Sequence, residues 1–192
     1  MKITLDKTDL DSAVDVAVSI LKSGGVLIYP TDTLYGLGGD GTSKSVVERI
    51  HTIKGIREMR PMSVMMDNLM MEEYCELTEN DREIIKKHLP GPYTFLLKLR
   101  KPIAASPNDK LGVRIPDSEF CQLLCKKFGT PIISTSANLT AKEPPTSLDE
   151  IAAVVTNAAD LLIDGGKTKY GGPSSIIDLV EGKTLHRDKT VR

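Results

Sequence analysis

Apolar positions at the helical period open the chain. Leu10, Ala13, Val14, Ala17, Val18 and Leu21 recur every three or four residues, with Thr8 placed to cap them. Gly24-Gly25 stops that pattern, and an unbroken apolar run, Val26-Leu27-Ile28-Tyr29, then halts at Pro30 as a buried strand would. A second helix is predicted after Ser43, with Val46, Val47, Ile50 and Ile53 on one face and Lys54-Gly55 closing it. Residues 62–66 read as a strand, 68–76 and 79–88 as helices, the latter capped by Thr78 with Asp81 three positions on. Pro90-Gly91-Pro92 breaks the chain before a strand over 93–99. Further strands are predicted at 111–115, 131–135, 161–164 and 174–179. Helices are predicted at 117–128 and from Ser147 through Val155, the latter with a Ser147–Glu150 capping box.

Strands and helices therefore mix throughout, without repeats, low-complexity tracts or a linker. The expectation is an α/β fold, one domain over residues 1–192, with a twisted mixed sheet flanked by helices. At 192 residues, 40% hydrophobic and 27% charged, the chain has the balance of a soluble globular protein with a sizeable core. A net charge of −1 argues against coating nucleic acid or membrane, though a local basic cleft stays compatible with it. No apolar run approaches the ~20 residues that span a bilayer, and no secretory signal is visible, so no membrane association is expected. The three cysteines, Cys75, Cys121 and Cys125, lack metal-ligand spacing. Cys121 and Cys125, four apart in a helical pattern, point to a buried face, and the expected compartment is cytoplasmic.

Chemistry is suggested first by residues 28–39. A buried strand stops at Pro30 and hands over to Thr31, Asp32 and Thr33, which puts polar groups at a strand end, where α/β proteins bind ligands. Gly36, Gly38, Gly39 and Gly41 follow and formally satisfy G-x-G-x-x-G. A dinucleotide fold, however, wants the first glycine directly after the strand and an acidic strand end ~20 residues on. Here Pro30 to Tyr35 intervene, and Glu58 falls in a charged loop, which weakens that reading. Gly166-Lys167-Thr168 resembles the end of a P-loop, but the earlier glycine would fall on Leu161 and no helix follows. His51, His88 and His186 are scattered and read as surface or packing residues, and no nucleophile elbow surrounds Ser134 or Ser136.

Cations and hydroxyls at element ends remain. Lys54, Arg57 and Arg60 lie at and after the end of the second helix. Arg114 sits inside the apolar strand Leu111-Gly-Val-Arg-Ile115, where a buried guanidinium needs an anion. Ser134, Ser136 and Asn138 follow one strand, Ser174 and Ser175 open another, and Arg187 comes after Thr184-Leu185. Singly, each has a structural alternative: a solvated basic turn for Lys54, Arg57 and Arg60, an ion pair for Arg114. Together they suit a cavity that binds a polyanion.

These blocks in order resemble the YrdC family of threonylcarbamoyl-AMP synthases. The blocks are Tyr29-Pro-Thr-Asp-Thr-Leu-Tyr-Gly-Leu-Gly38, Lys54 with Pro61 and Ser63, Pro90-Gly-Pro-Tyr-Thr94, Gly112-Val-Arg-Ile-Pro116, Ser134-Thr-Ser-Ala-Asn138, Ile163-Asp-Gly-Gly166 and Pro173-Ser-Ser-Ile-Ile-Asp178. The resemblance spans nearly the whole chain and is to the short, single-domain form, with its large basic concave cavity. It implies a nucleotidyltransferase that joins L-threonine, bicarbonate (or CO2) and ATP, with Mg2+, into threonylcarbamoyl-AMP and pyrophosphate. The product would pass to a tRNA threonylcarbamoyl-transferase complex for the threonylcarbamoyladenosine modification of tRNA.

The resemblance also implies roles, position by position. Thr33 would contact threonine and Arg114 clamp its carboxylate, with Ser134 and Ser174 completing that side. Lys54, Arg60, Lys110, Ser136, Asn138, Pro144 and Arg187 would line the ATP side, Lys54 and Arg114 being the catalytic pair. No metal ligand set is implied. The chain departs from the family pattern in three places: where Lys-x-Arg is usual, Lys54 is followed by Gly55-Ile56 and an arginine comes only at Arg57, Thr140-Ala141 replace Ser-Gly, and Asp188 follows Arg187 in place of Pro-Gly. These departures keep open a YciO-like paralogue acting mainly as a binding protein for tRNA or double-stranded RNA.

Overall fold

The computed structural model describes residues 1–185. In chain order the elements are β1 (Lys2–Thr4), α1 (Leu10–Lys22), β2 (Leu27–Pro30), β3 (Tyr35–Gly38), α2 (Lys44–Lys54), β4 (Val64–Met65), α3 (Asn68–Tyr74), β5 (Cys75–Glu76), α4 (Glu79–His88), β6 (Tyr93–Leu99), β7 (Lys110–Arg114), α5 (Glu119–Phe128), β8 (Ile132–Ile133) and β9 (Thr135–Ser136). A 3-10 turn (Leu148–Glu150), α6 (Ala153–Thr156), β10 (Leu161–Asp164), β11 (Ser175–Asp178) and β12 (Lys183–Leu185) complete the chain.

The α/β expectation holds, but the strands form two mixed sheets in place of the single sheet expected. One runs β1-β10-β2-β3-β9; the other runs β12-β11-β6-β7-β4-β8, with β5 paired to β6. The chain crosses between them at β8 and β9. Ile132 and Ile133 pair with Met65 and Val64 of the second sheet, and Thr135 and Ser136 pair with Leu37 and Gly36 of the first. Ser134, between the two, donates its backbone N–H to the Ser63 carbonyl at 2.8 Å. That crossing opens the space where the polar residues collect.

Most helix limits follow the periodicity. Thr78 and Asp81 form the capping box expected for α4. For α1 the cap is Asp9 and not Thr8, because the Asp9 carboxylate reaches the Ser12 N–H at 3.0 Å. The buried stripe of α1, Ala13, Val14, Ala17, Val18 and Leu21, packs on Phe120, Cys121, Leu124 and Cys125 of α5. Each large apolar side chain buried this way contributes roughly 1.5–3 kcal/mol. Cys75, Cys121 and Cys125 are all buried free thiols, and desolvation pushes Cys75 and Cys121 up to about 12, so they pack as small apolar groups.

Two stretches depart from expectation. The helix expected from Ser147 through Val155 is a 3-10 turn followed by the short α6. The Glu150 carboxylate takes the Thr146 N–H at 2.7 Å and the Thr146 hydroxyl, so the box closes one residue early and no continuous helix propagates. The start of the glycine run, to which the apolar pattern assigned no element, forms β3. A Cβ at Gly38 would lie 2.4 Å from the Ile133 carbonyl and 2.7 Å from the Tyr29 ring, and one at Gly36 would lie 3.1 Å from that ring. Those glycines make room for Tyr29, whose hydroxyl donates to the Ile133 carbonyl at 3.0 Å.

Candidate active site

A hollow of about 360 Å³ opens where the sheets part. Thr33, Arg114, Ser134, Ser136, Asn138, Pro144 and Ser174, gathered from distant parts of the sequence, share its wall. Thr31, Ser63, Thr94 and Lys142 join them. Lys142 was not singled out by sequence, where nothing separated it from other surface lysines. Thr94 lay inside a motif without an assigned role.

The strand end after β2 is built around Thr31. Its hydroxyl donates to the Leu34 carbonyl at 2.8 Å and accepts the Thr33 and Leu34 N–H groups, which turns the chain tightly and leaves Thr33 on the wall. Asp32 turns away beneath the wall. Its carboxylate accepts an Arg114 Nη hydrogen at 2.7 Å and the Asp117 N–H at 3.2 Å. Both partners of that ion pair are almost fully buried. The Arg114 Nε is also buried and has no partner among the described residues. The anion required by a buried guanidinium is therefore Asp32, and a donor edge is left over.

Lys54, the last residue of α2, is buried and holds the far wall from behind. Its ammonium donates to the carbonyls of Ser136 at 2.5 Å and Asn138 at 3.0 Å. Its own carbonyl accepts the Thr140 N–H at 3.0 Å and the Thr140 hydroxyl at 2.9 Å. Both ends of one residue thus fasten the loop that carries Ser136, Asn138, Lys142 and Pro144. Desolvation lowers the ammonium to about 8. The Asn138 amide nitrogen donates to the Leu139 and Lys142 carbonyls, while its Oδ1 is buried without a partner.

Other predicted residues stand apart. Arg60 is exposed, and its backbone N–H meets Nε2 of the buried His51, whose Nδ1 donates to the Val47 carbonyl at 2.9 Å. His51 is a packing residue. Lys110 is off the wall and ion-paired to Glu181 and, at 3.5 Å, Asp178. Arg187 lies outside the described residues. Among the described residues, no cluster of His, Cys, Asp and Glu could hold a metal ion, and no helix is long and apolar enough to cross a membrane.

The family model for Sua5, YciO and YrdC proteins, described as "Telomere recombination", matches residues 19–188. The chain belongs to this family. Among Sua5/YciO/YrdC relatives, a protein of Methanocaldococcus jannaschii, provisionally named a threonylcarbamoyl-AMP synthase, is 36% identical over 85% of this chain and 78% of its own length. The crystal structure of P. abyssi Sua5 complexed with L-threonine superposes with a TM-score of 0.86 at 27% identity, covering 96% of this chain but 56% of that one. E. coli YciO superposes with a TM-score of 0.77 at 31% identity, covering 93% of this chain and 89% of that one.

Proposed function

We propose that this chain is an L-threonylcarbamoyladenylate synthase, a nucleotidyltransferase making threonylcarbamoyl-AMP and pyrophosphate from L-threonine, bicarbonate or CO2, and ATP. One observation carries the reading: Arg114, whose buried Nε has no partner among the described residues, shares one hollow with Thr33, Ser134, Ser136, Asn138, Lys142, Pro144 and Ser174. The named relatives support it. An amino acid carboxylate suits Arg114, and an ATP phosphate tail suits the loop fastened by Lys54.

In the proposed reaction the threonine ammonium loses one proton to solvent, the amine bonds to CO2, and the nitrogen gives a second proton to solvent as the carbamate forms. A carbamate oxygen then attacks the α-phosphorus, and the bond from that phosphorus to the bridging oxygen breaks, releasing pyrophosphate. Among the described residues, no side chain on the wall is a general base of the His or carboxylate kind. Catalysis would rest on holding the two anions together and offsetting their charge, which is what Arg114 and Lys142 can do. Among the described residues the wall carries no carboxylate, so Mg2+ would arrive on the phosphates of ATP and neutralise charge there. The product would be consumed by a tRNA threonylcarbamoyl-transferase complex.

The test is pyrophosphate release from ATP and Mg2+, with threonine and bicarbonate omitted in turn. Release that needs both supports the synthase; release indifferent to threonine refutes it. A YciO-like role in binding tRNA or double-stranded RNA is the second reading. Gly55, in the left-handed conformation at φ 68°, ends α2 immediately after Lys54 and leaves Arg57 exposed, away from the wall. Salt-dependent tRNA binding without pyrophosphate release would favour that reading.

A further inference from the structure

The hydroxyls of Thr94 and Ser174 lie 2.7 Å apart, both residues buried and both on the wall of the hollow. Thr94 is on β6, and Ser174 immediately precedes β11. These strands run parallel with Ile176 beside Thr94. On the other side of β6, antiparallel β7 places Val113 opposite Phe95. One step back along β6 and one forward along β7 sets Thr94 opposite Arg114. Arg114 therefore stands opposite Thr94 on the neighbouring antiparallel strand, about 4.5–5.5 Å away at Cα, while Ser174, two positions before Ile176, lies diagonal to Thr94 on the other side and meets it through the hydroxyl contact.

Two hydroxyls carry two protons and four lone pairs. One proton is shared within the Thr94–Ser174 pair, and neither oxygen has another partner among the described residues. One proton and several lone pairs remain, in a buried place where an unmade hydrogen bond is costly. A ligand hydroxyl answers both needs, because it accepts one bond and donates one. A methyl group answers neither.

We infer that Thr94, acting with Ser174, is the specificity-determining residue that reads the side-chain hydroxyl of the amino acid; this rests on the synthase reading above. An amino acid whose carboxylate sits on Arg114 has its Cβ substituents only a few ångströms away, the distance to the next strand. Threonine presents a hydroxyl there. Valine has the same shape with a methyl in that place, so the unmet pair excludes it.

The test is calorimetric titration of L-threonine and L-valine into the full chain, for wild type, Thr94→Val, Thr94→Ser and Ser174→Ala. Thr94→Val keeps shape and strand propensity, and Thr94→Ser and Ser174→Ala serve if it fails to fold. Wild type is expected to prefer threonine by roughly tenfold or more. Thr94→Val should bring the ratio to within about twofold by weakening threonine, Thr94→Ser should keep it, and Ser174→Ala should lower it. A wild-type ratio in Thr94→Val overturns the inference and leaves the synthase reading standing. Wild type that binds neither amino acid overturns that reading, and the inference with it.

Discussion

Arg114 gives an Nη hydrogen to Asp32 at 2.7 Å and also lines the hollow, while its buried Nε has no partner among the described residues, so one guanidinium is both structurally fixed and present at the wall. Asp32 is fully buried and also accepts the Asp117 N–H. Removing one partner of such a pair strands the other charge. We expect Asp32→Ala to cost about 3–5 kcal/mol in urea unfolding. Arg114→Ala should be comparably destabilising as well as inactive, since it leaves Asp32 unpaired. An exposed pair such as Lys101–Glu73 should contribute under about 1 kcal/mol. A loss for Asp32→Ala as small as that would mean that Arg114 is solvated.

Lys54 carries a pH signature. Burial lowers its ammonium to about 8 in the folded chain, from an ordinary value near 10.5. Below pH 8 both folded and unfolded states are protonated, and the burial penalty is present in full. Between about 8 and 10.5 the folded state sheds the proton while the unfolded state keeps it, so stability rises with pH. Buried thiols titrate in the opposite sense above pH 9, which makes the difference between wild type and Lys54→Met the quantity to follow. That difference, from urea midpoints at steps between pH 7.5 and 10.5, should shift in favour of wild type as pH rises. A flat difference would show Lys54 to be hydrated.

Two glycines separate crowding from backbone conformation. Gly38 has an ordinary strand conformation, yet a Cβ there meets the Ile133 carbonyl at 2.4 Å. Gly55 has φ 68° and nothing within 4 Å of its Cβ position. Gly38→Ala should therefore lose stability at or beyond the upper end of the roughly 1–3 kcal/mol range of overpacking, and disturb the β8–β9 crossing. Gly55→Ala should lose only about 1 kcal/mol. Thermal melts of both variants decide it; equal losses would contradict the packing account of β3.

Those same glycines mark where sequence reading stopped short. Periodicity located α1, α2, α4, β6 and β10 because each buries one face, and burial is what sets the pattern. It could not find β3, because Gly36 and Gly38 serve the Tyr29 ring above them and look locally like a loop. The polar residues of the hollow were legible as a set, since Thr33, Arg114, Ser134 and Ser174 each break an apolar run at a strand end. Asp32 as the partner of Arg114 was not, because that pair joins residues 82 positions apart. Nor was the role of Lys54, whose partners are backbone carbonyls, which carry no residue identity.

Ala141 illustrates a departure with a measurable consequence. It has φ 64°, the left-handed conformation in which glycine is at ease, and it follows Thr140, which is bonded to the Lys54 carbonyl. A left-handed alanine costs roughly 1–2 kcal/mol, whereas glycine there loses about 0.4–1 kcal/mol through the freer unfolded chain. Ala141→Gly should be stabilising by a net of about 0.5 kcal/mol, read as a small rise in melting temperature. A fall of several degrees would show that the methyl group packs favourably enough to outweigh its strain.

Lys110 and Lys54 make the sharpest contrast on the nucleotide side. Lys110 is spent on Glu181 and Asp178, and the hydrogen bond to Glu181 raises its ammonium above the ordinary lysine value, so it has little charge to offer elsewhere. Lys54 has no carboxylate partner among the described residues and fastens the loop bearing Ser136, Asn138 and Lys142. In pyrophosphate release measured against ATP concentration, Lys110→Met should leave the KM for ATP within about twofold, the effect of losing a partly exposed ion pair. Lys54→Met should lower kcat/KM for ATP by roughly tenfold or more, because the loop loses two hydrogen bonds to a charged group. If Lys110→Met instead raises that KM tenfold, Glu181 must release Lys110 when nucleotide binds, and the wall drawn here is one residue short.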